Sequence, residues 1–135
     1  APFIAFLQER TQLKSDGKNW LFYGAQFRKT DHIYENELIY FQDNKVLDKL
    51  DIAFSRDQAK KIYVQDKIYE VKSEFFKWIK EGAYLYVCGD AINMAKDVNS
   101  ILQKIIQEQL NCSEDKSILY IKNLKKEKRY LLDVY

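Results

Sequence analysis

Residues 83–110 read AYLYVCGDAINMAKDVNSILQKIIQEQL, from Ala83 to Leu110. The run Ala83-Tyr-Leu-Tyr-Val-Cys88 is apolar, has the length of a strand, and ends at Gly89-Asp90. From Asn93 the period changes. Met94, Val98, Ile101, Leu102, Ile105 and Ile106 recur at helical spacing and make one continuous apolar stripe, which predicts a helix over 93–110. A buried strand, a glycine turn and an amphipathic helix together announce an α/β unit.

The same alternation extends in both directions. Upstream, Pro2 suits a first helical turn, Phe3, Phe6, Leu7 and Leu13 follow at helical spacing, and Gly17 is a plausible helix end. Trp20-Leu-Phe-Tyr-Gly24 and Leu50-Asp-Ile-Ala-Phe54 read as buried strands. Between them Thr30 and Asp31 can cap a helix carrying Ile33, Leu38 and Phe41. A helical stretch is expected from about 62 to 80, with Trp78 and Ile79 on its apolar side. Downstream, a shorter basic helix is expected over 115–126, and Tyr130-Leu-Leu-Asp-Val-Tyr135 reads as a final strand. Helix–strand alternation over this length predicts a doubly wound parallel α/β sheet, occupying 1–135 as one domain.

Composition narrows the class. The chain of 135 residues is 47% hydrophobic and 31% charged, which fits a globular domain of ordinary size. A formal net charge of +2 is too small to argue for nucleic acid, and no apolar run approaches the roughly 20 residues that cross a bilayer. Cys88 and Cys112 are far apart and in no metal spacing, so they read as reduced thiols of a cytoplasmic chain. The single histidine, His32, reads as a solvated side chain rather than a metal ligand. The charge run Lys125-Lys-Glu-Lys-Arg129 reads as a solvated helix end.

Ligands of open α/β sheets gather at the carboxyl ends of strands. Three such ends carry chemistry here: Gly24-Ala-Gln26, Ser55-Arg-Asp-Gln58 and Cys88-Gly-Asp90. Ser55 and Arg56 pair a hydroxyl with a planar fork of donors that matches phosphate oxygens, and Lys61, Tyr63 and Gln65 add a point charge, an aromatic face and an amide. That set suits an adenosine 2′-phosphate; a polar loop leading into a helix is the alternative. Cys88 is either a small polarisable group beside a ligand or a buried structural thiol. A chain closing on Tyr135 after an apolar strand either packs its ring on something flat or simply completes a strand.

Ser55-Arg-Asp-Gln58 with Lys61-Ile-Tyr63-Val-Gln65-Asp66, Tyr86-Val-Cys88-Gly-Asp90, Met94-Ala-Lys-Asp97-Val98 and Arg129-Tyr130…Asp133-Val-Tyr135 resemble, in this order, the NADP(H)-binding domain of the diflavin reductases, within the ferredoxin–NADP reductase superfamily. The resemblance covers the whole chain. It implies a Rossmann-like domain in which Ser55, Arg56, Lys61 and Tyr63 bind the 2′-phosphate, with Gln65 in support. It implies further that Cys88 and Asp133 flank nicotinamide and flavin, that Asp97 contacts the nicotinamide end, and that Tyr135 stacks on the isoalloxazine. A terminal Tyr favours the sulfite-reducing members over the Trp-bearing microsomal ones.

The expected activity is hydride delivery from NADPH to FAD, the latter held mostly by another domain of the same polypeptide. FMN and a haem-containing sulfite reductase subunit lie further down the electron path. The alternatives are a microsomal-type or methionine synthase-type domain, and a nucleotide-binding fragment without redox activity. Two departures stand out. The family's Gly-x-Gly-Thr-Gly-x loop and the strand before it should precede Ala1-Pro2-Phe3, which implies the C-terminal part of a larger flavoprotein. Ile92 stands where members commonly carry Arg.

Overall fold

The structure is a computed structural model, and it describes residues 8–9, 17–25, 35–54, 61–89 and 92–134. The chain divides into two compact units, Ala1–Lys67 and Ile68–Tyr135.

In the first unit β1 (Trp20–Ala25) and β2 (Lys49–Phe54) pair in parallel, from Trp20 opposite Lys49 to Ala25 opposite Phe54. Parallel neighbours need a crossover, and α1 (Glu35–Asp43) lies within it. Leu38 and Phe41 of α1 are buried with Leu47, and Leu21 and Leu50, which face each other across the two strands, pack on this cluster. On the other face Trp20 stacks on Phe22 with ring centres 5.0 Å apart, and its indole N–H donates to Asp51 at 2.8 Å. The period-2 alternation thus separates an aliphatic face from an aromatic, polar one.

α2 (Val64–Glu70) and α3 (Lys72–Lys80) divide the stretch expected as one helix over 62–80. The break falls at Val71, whose φ of −110° and ψ of 28° leave the helical region. Neither Gly nor Pro marks the place in the sequence.

In the second unit β3 (Leu85–Gly89) and β4 (Tyr130–Val134) pair in parallel, from Leu85 opposite Tyr130 to Gly89 opposite Val134. Between them run α4 (Met94–Leu110) and α5 (Glu114–Lys126), joined by three residues. The stripe read from the sequence faces inward: Val98, Leu102, Ile105 and Ile106 are buried, joined by Ala95. Phe75, Phe76 and Ile79 of α3, Val87 of β3 and Ile121 and Leu124 of α5 are buried too. Fully burying a side chain such as Ile105 contributes about 1.5–3 kcal/mol. Ser117, the one buried polar residue among those described, is satisfied, because its hydroxyl donates to the Glu114 carbonyl at 2.6 Å.

Tyr69, Lys72 and Glu108 tie the end of α2 and the start of α3 to α4. The Tyr69 hydroxyl and Lys72 Nζ both donate to the Glu108 carboxylate, at 2.7 and 3.1 Å. The Tyr69 hydroxyl, then Lys72, holds Glu108 below the usual carboxylate range. Lys72 is raised first by its own bond to the Tyr69 hydroxyl, at 3.1 Å, and then by that to Glu108.

Candidate functional site

The carboxyl ends of the strands are reached separately in the two units. In the first, Gly24 is the next-to-last residue of β1. A Cβ built there would stand 2.9 Å from Val64 Cγ2, closer than real Cβ contacts come. Glycine is therefore what lets the first residue of α2 approach the exit of the strand. The N-terminus of α2 is organised locally. The Tyr63 N–H donates to the Asp66 carboxylate at 2.8 Å, the half of a capping box in which a third-position acid reaches back to the residue before the helix. Lys61 and Tyr63 are exposed, Tyr63 at 44%, and Gln65 is half-buried. Of the residues assigned to the 2′-phosphate, Lys61, Tyr63 and Gln65 thus lie at one helix start, whose first residue, Val64, approaches the exit of β1. Ser55 and Arg56 lie outside the described residues.

In the second unit Cys88 and Asp133 are register partners across the parallel pair, one residue before each strand's last. Residues opposite each other in a ladder point to the same face, so thiol and carboxylate share a face near the carboxyl ends of β3 and β4. Cys88 is half-buried and Asp133 exposed. Burial, and after it the charge of Asp133, pushes the Cys88 thiol above its ordinary value, so it is a neutral thiol near pH 7. That makes it a weak donor and a polarisable contact, not a nucleophile. Asp97 is exposed in the first turn of α4, and Ile92 is exposed just before that helix. Tyr135 lies outside the described residues, as does His32.

The sequence pattern misplaces one residue. Arg129, which reads as part of a solvated charge run, is only 20% exposed and binds main-chain carbonyls. The signal that distinguishes it is position: it directly precedes the first apolar residue of β4, where a side chain can reach back under the strand.

No group of three or more His, Cys, Asp or Glu among the described residues could hold a metal ion. No helix among them is long and apolar enough to cross a membrane. Taken each by itself, the two strand exits carry groups whose chemistry suits parts of a dinucleotide. There is a glycine-permitted close approach, a cation and an aromatic ring at the exit of one strand, and a neutral thiol beside a carboxylate at the exit of another.

Comparison with known proteins agrees. The chain is 47% identical over 135 residues, its full length, to the "Sulfite reductase [NADPH] flavoprotein alpha-component" of Vibrio vulnificus (strain CMCP6). It is 48% identical to the protein of that name in Zymomonas mobilis and 42% identical to that in Bacillus subtilis (strain 168). It spans 22% of the length of each of these relatives. Residues 1–100 match the model of the oxidoreductase NAD-binding domain, and with the parallel strands and helical crossovers described above, the chain belongs to that family.

Proposed function

We propose that the chain, over 1–135, is the NADP(H)-binding domain of a cytoplasmic diflavin reductase and orients NADPH for hydride transfer to FAD. In the parent protein FAD is held mostly by another domain of the same polypeptide. FMN carries the electrons onward, to a haem-containing sulfite reductase subunit. The observation that carries this reading is the full-length alignment, at 41–48% identity, to relatives that share the name sulfite reductase flavoprotein. The finer fold that goes with it is a doubly wound, Rossmann-like sheet whose first strand and Gly-rich loop precede the matching segment. It is supported by two parallel pairs, the first with one described helix in its crossover and the second with two.

NADPH supplies the hydride, and FAD accepts it; the chain supplies binding and orientation. Arg56 and Ser55 hold the 2′-phosphate with charge-assisted bonds, Lys61 adds charge, and Tyr63 offers its ring to adenine, with Gln65 in support. Cys88 packs as a neutral thiol against the nicotinamide. Asp133, on the same strand face, stabilises the positive charge that develops there. Asp97 would contact the nicotinamide end, and Tyr135 would stack on the flavin ring.

Calorimetric titration of the chain with 2′,5′-ADP and 5′-AMP tests the reading. Saturable binding of 2′,5′-ADP that 5′-AMP does not match is expected. Arg56→Ala should weaken NADPH by about 2–3 kcal/mol, the worth of hydrogen bonds to a charged group, and NADH far less. Equal losses for the two cofactors would sink it.

A further inference from the structure

The pairing of Cys88 with Asp133 depends on register, and of the described side chains of β4 only that of its first residue is buried. Tyr130 is buried, and its hydroxyl donates to Asn99 at 3.2 Å. Leu131, Leu132 and Asp133 are exposed. A slip of one residue would turn Asp133 to the opposite face and put Leu132 or Val134 opposite Cys88.

The residue just before β4 gathers the constraints. The Arg129 carbonyl accepts from the Leu85 N–H at 2.7 Å, the first bond between the two strands. The Arg129 N–H donates to the Leu124 carbonyl at 2.8 Å, and the Lys128 N–H to that of Lys125 at 3.0 Å. These are the two bonds of a Schellman motif, with Lys128 left-handed at φ 59°. The guanidinium reaches the other way. Its Nε and Nη2 donate to the Ala83 carbonyl at 3.3 and 3.2 Å, and Nη2 also donates to the Ile79 carbonyl at the end of α3, which accepts from the Gly82 N–H as well. Nη1 pairs with Glu127 at 3.3 Å. One residue thus fastens the end of α5, the end of α3 and the approach to β3 to the start of β4. A lysine, whose donors all sit on one nitrogen, would match acceptors spread over Ile79, Ala83 and Glu127 less well than the planar guanidinium.

We infer that Arg129 is a positioning residue: by pinning the start of β4 to the approach of β3, it sets Asp133 beside Cys88. The functional weight of that placement rests on the reading of the pair as the nicotinamide contact; the pin itself does not.

The test uses the full chain with Cys112→Ser, so that Cys88 is the only thiol. The readout is the pH profile of Cys88 alkylation by iodoacetamide. Asp133→Asn, which removes the carboxylate's field directly, should move the profile down. Arg129→Gln should move it the same way, with about twofold faster alkylation at pH 8 as thiolate becomes easier to form. In the Asp133→Asn background Arg129→Gln should add nothing, because both changes remove one interaction. A shift that persists in that background would mean general loosening around Cys88, and it would overturn the inference, as would an unchanged profile. Should Arg129→Gln fail to fold, Arg129→Lys decides: a smaller shift, abolished by Asp133→Asn, supports the pin, and a wild-type profile refutes it. No nucleotide enters the assay, so failure of 2′,5′-ADP to bind would remove the proposed function and leave this result standing.

Discussion

The two parallel pairs are fastened in the same place by different chemistry. Each is pinned by the residue that immediately precedes one of its first register partners: Asn19 before Trp20 in the first unit, Arg129 before Tyr130 in the second. Asn19 is short and neutral. Its N–H donates to Asp48 at 2.6 Å, its side-chain amide to the Val46 carbonyl at 2.7 Å, and its own carbonyl accepts from Asp48 and Lys49. Arg129 is long and charged and reaches a helix end as well as the neighbouring strand's approach. The turn after α1 lies within reach of an asparagine, whereas the end of α3 demands a side chain several bonds longer. In both units the hydrogen-bonded pin sits at the entrance of the strands, and at the exit of the first the constraint is steric. Their carboxyl exits, where ligands of such sheets bind, are left to glycine, a thiol and a carboxylate.

The exit of the first unit gives the largest expected effect. Gly24→Ala places a methyl 2.9 Å from Val64 Cγ2, and relief requires a shift of strand or helix or a less favourable rotamer of the β-branched Val64. The expected cost is about 2 kcal/mol, typical of overpacking, read by urea denaturation. Val64→Ala removes the obstructing methyl, so the double variant should recover most of that loss. If Gly24→Ala costs nothing, the close approach at the exit is not a constraint and the contrast between the two ends fails.

The entrance of the same unit should respond less. Asn19→Ala deletes the bond to the Val46 carbonyl while its main-chain bonds remain. The expected loss is about 1–1.5 kcal/mol by the same measurement, one hydrogen bond with a partner left short of a donor. Asn19→Asp should be worse than Ala, since a carboxylate would face both the Val46 carbonyl and Asp48. Equality of the two substitutions would show that the amide is not a pin.

Much of this architecture is legible in the sequence, for physical reasons. Strands and helices are signalled by their periods, which is why the spacing of Leu102, Ile105 and Ile106 is enough to turn them inward, where they are buried. Pairing is not legible, because a period says which face is buried and nothing about which strand lies alongside. The break at Val71 carries no local signal, since a β-branched residue costs a helix little and packing decides. Within the site, the pairing of Cys88 with Asp133 needs the register, a relation over 45 residues of sequence (133 − 88). Arg129 escapes a reading by pattern because a basic run at a helix end is ordinarily solvated; only its bonds to the Ile79 and Ala83 carbonyls single it out.

The smallest effect concerns how the helices hand the chain to these entrances. α1 ends as α5 does: the Lys45 N–H donates to the Gln42 carbonyl and the Val46 N–H to that of Phe41, with Lys45 left-handed at φ 60°. α4 ends on Asn111 at φ 48°, a residue type that tolerates this region, but two of the three non-glycine left-handed positions among the described residues hold lysine. A Cβ there crowds the following carbonyl, and glycine relieves it at some cost in the unfolded chain. Lys45→Gly and Lys128→Gly should each stabilise by about 0.5–1 kcal/mol, seen as a raised urea midpoint. The gain at Lys128 should survive Arg129→Gln if the turn and the guanidinium act independently. If it disappears, the left-handed turn is held only by the pin that follows it, and the two entrances then differ in their helix ends as well as in their side chains.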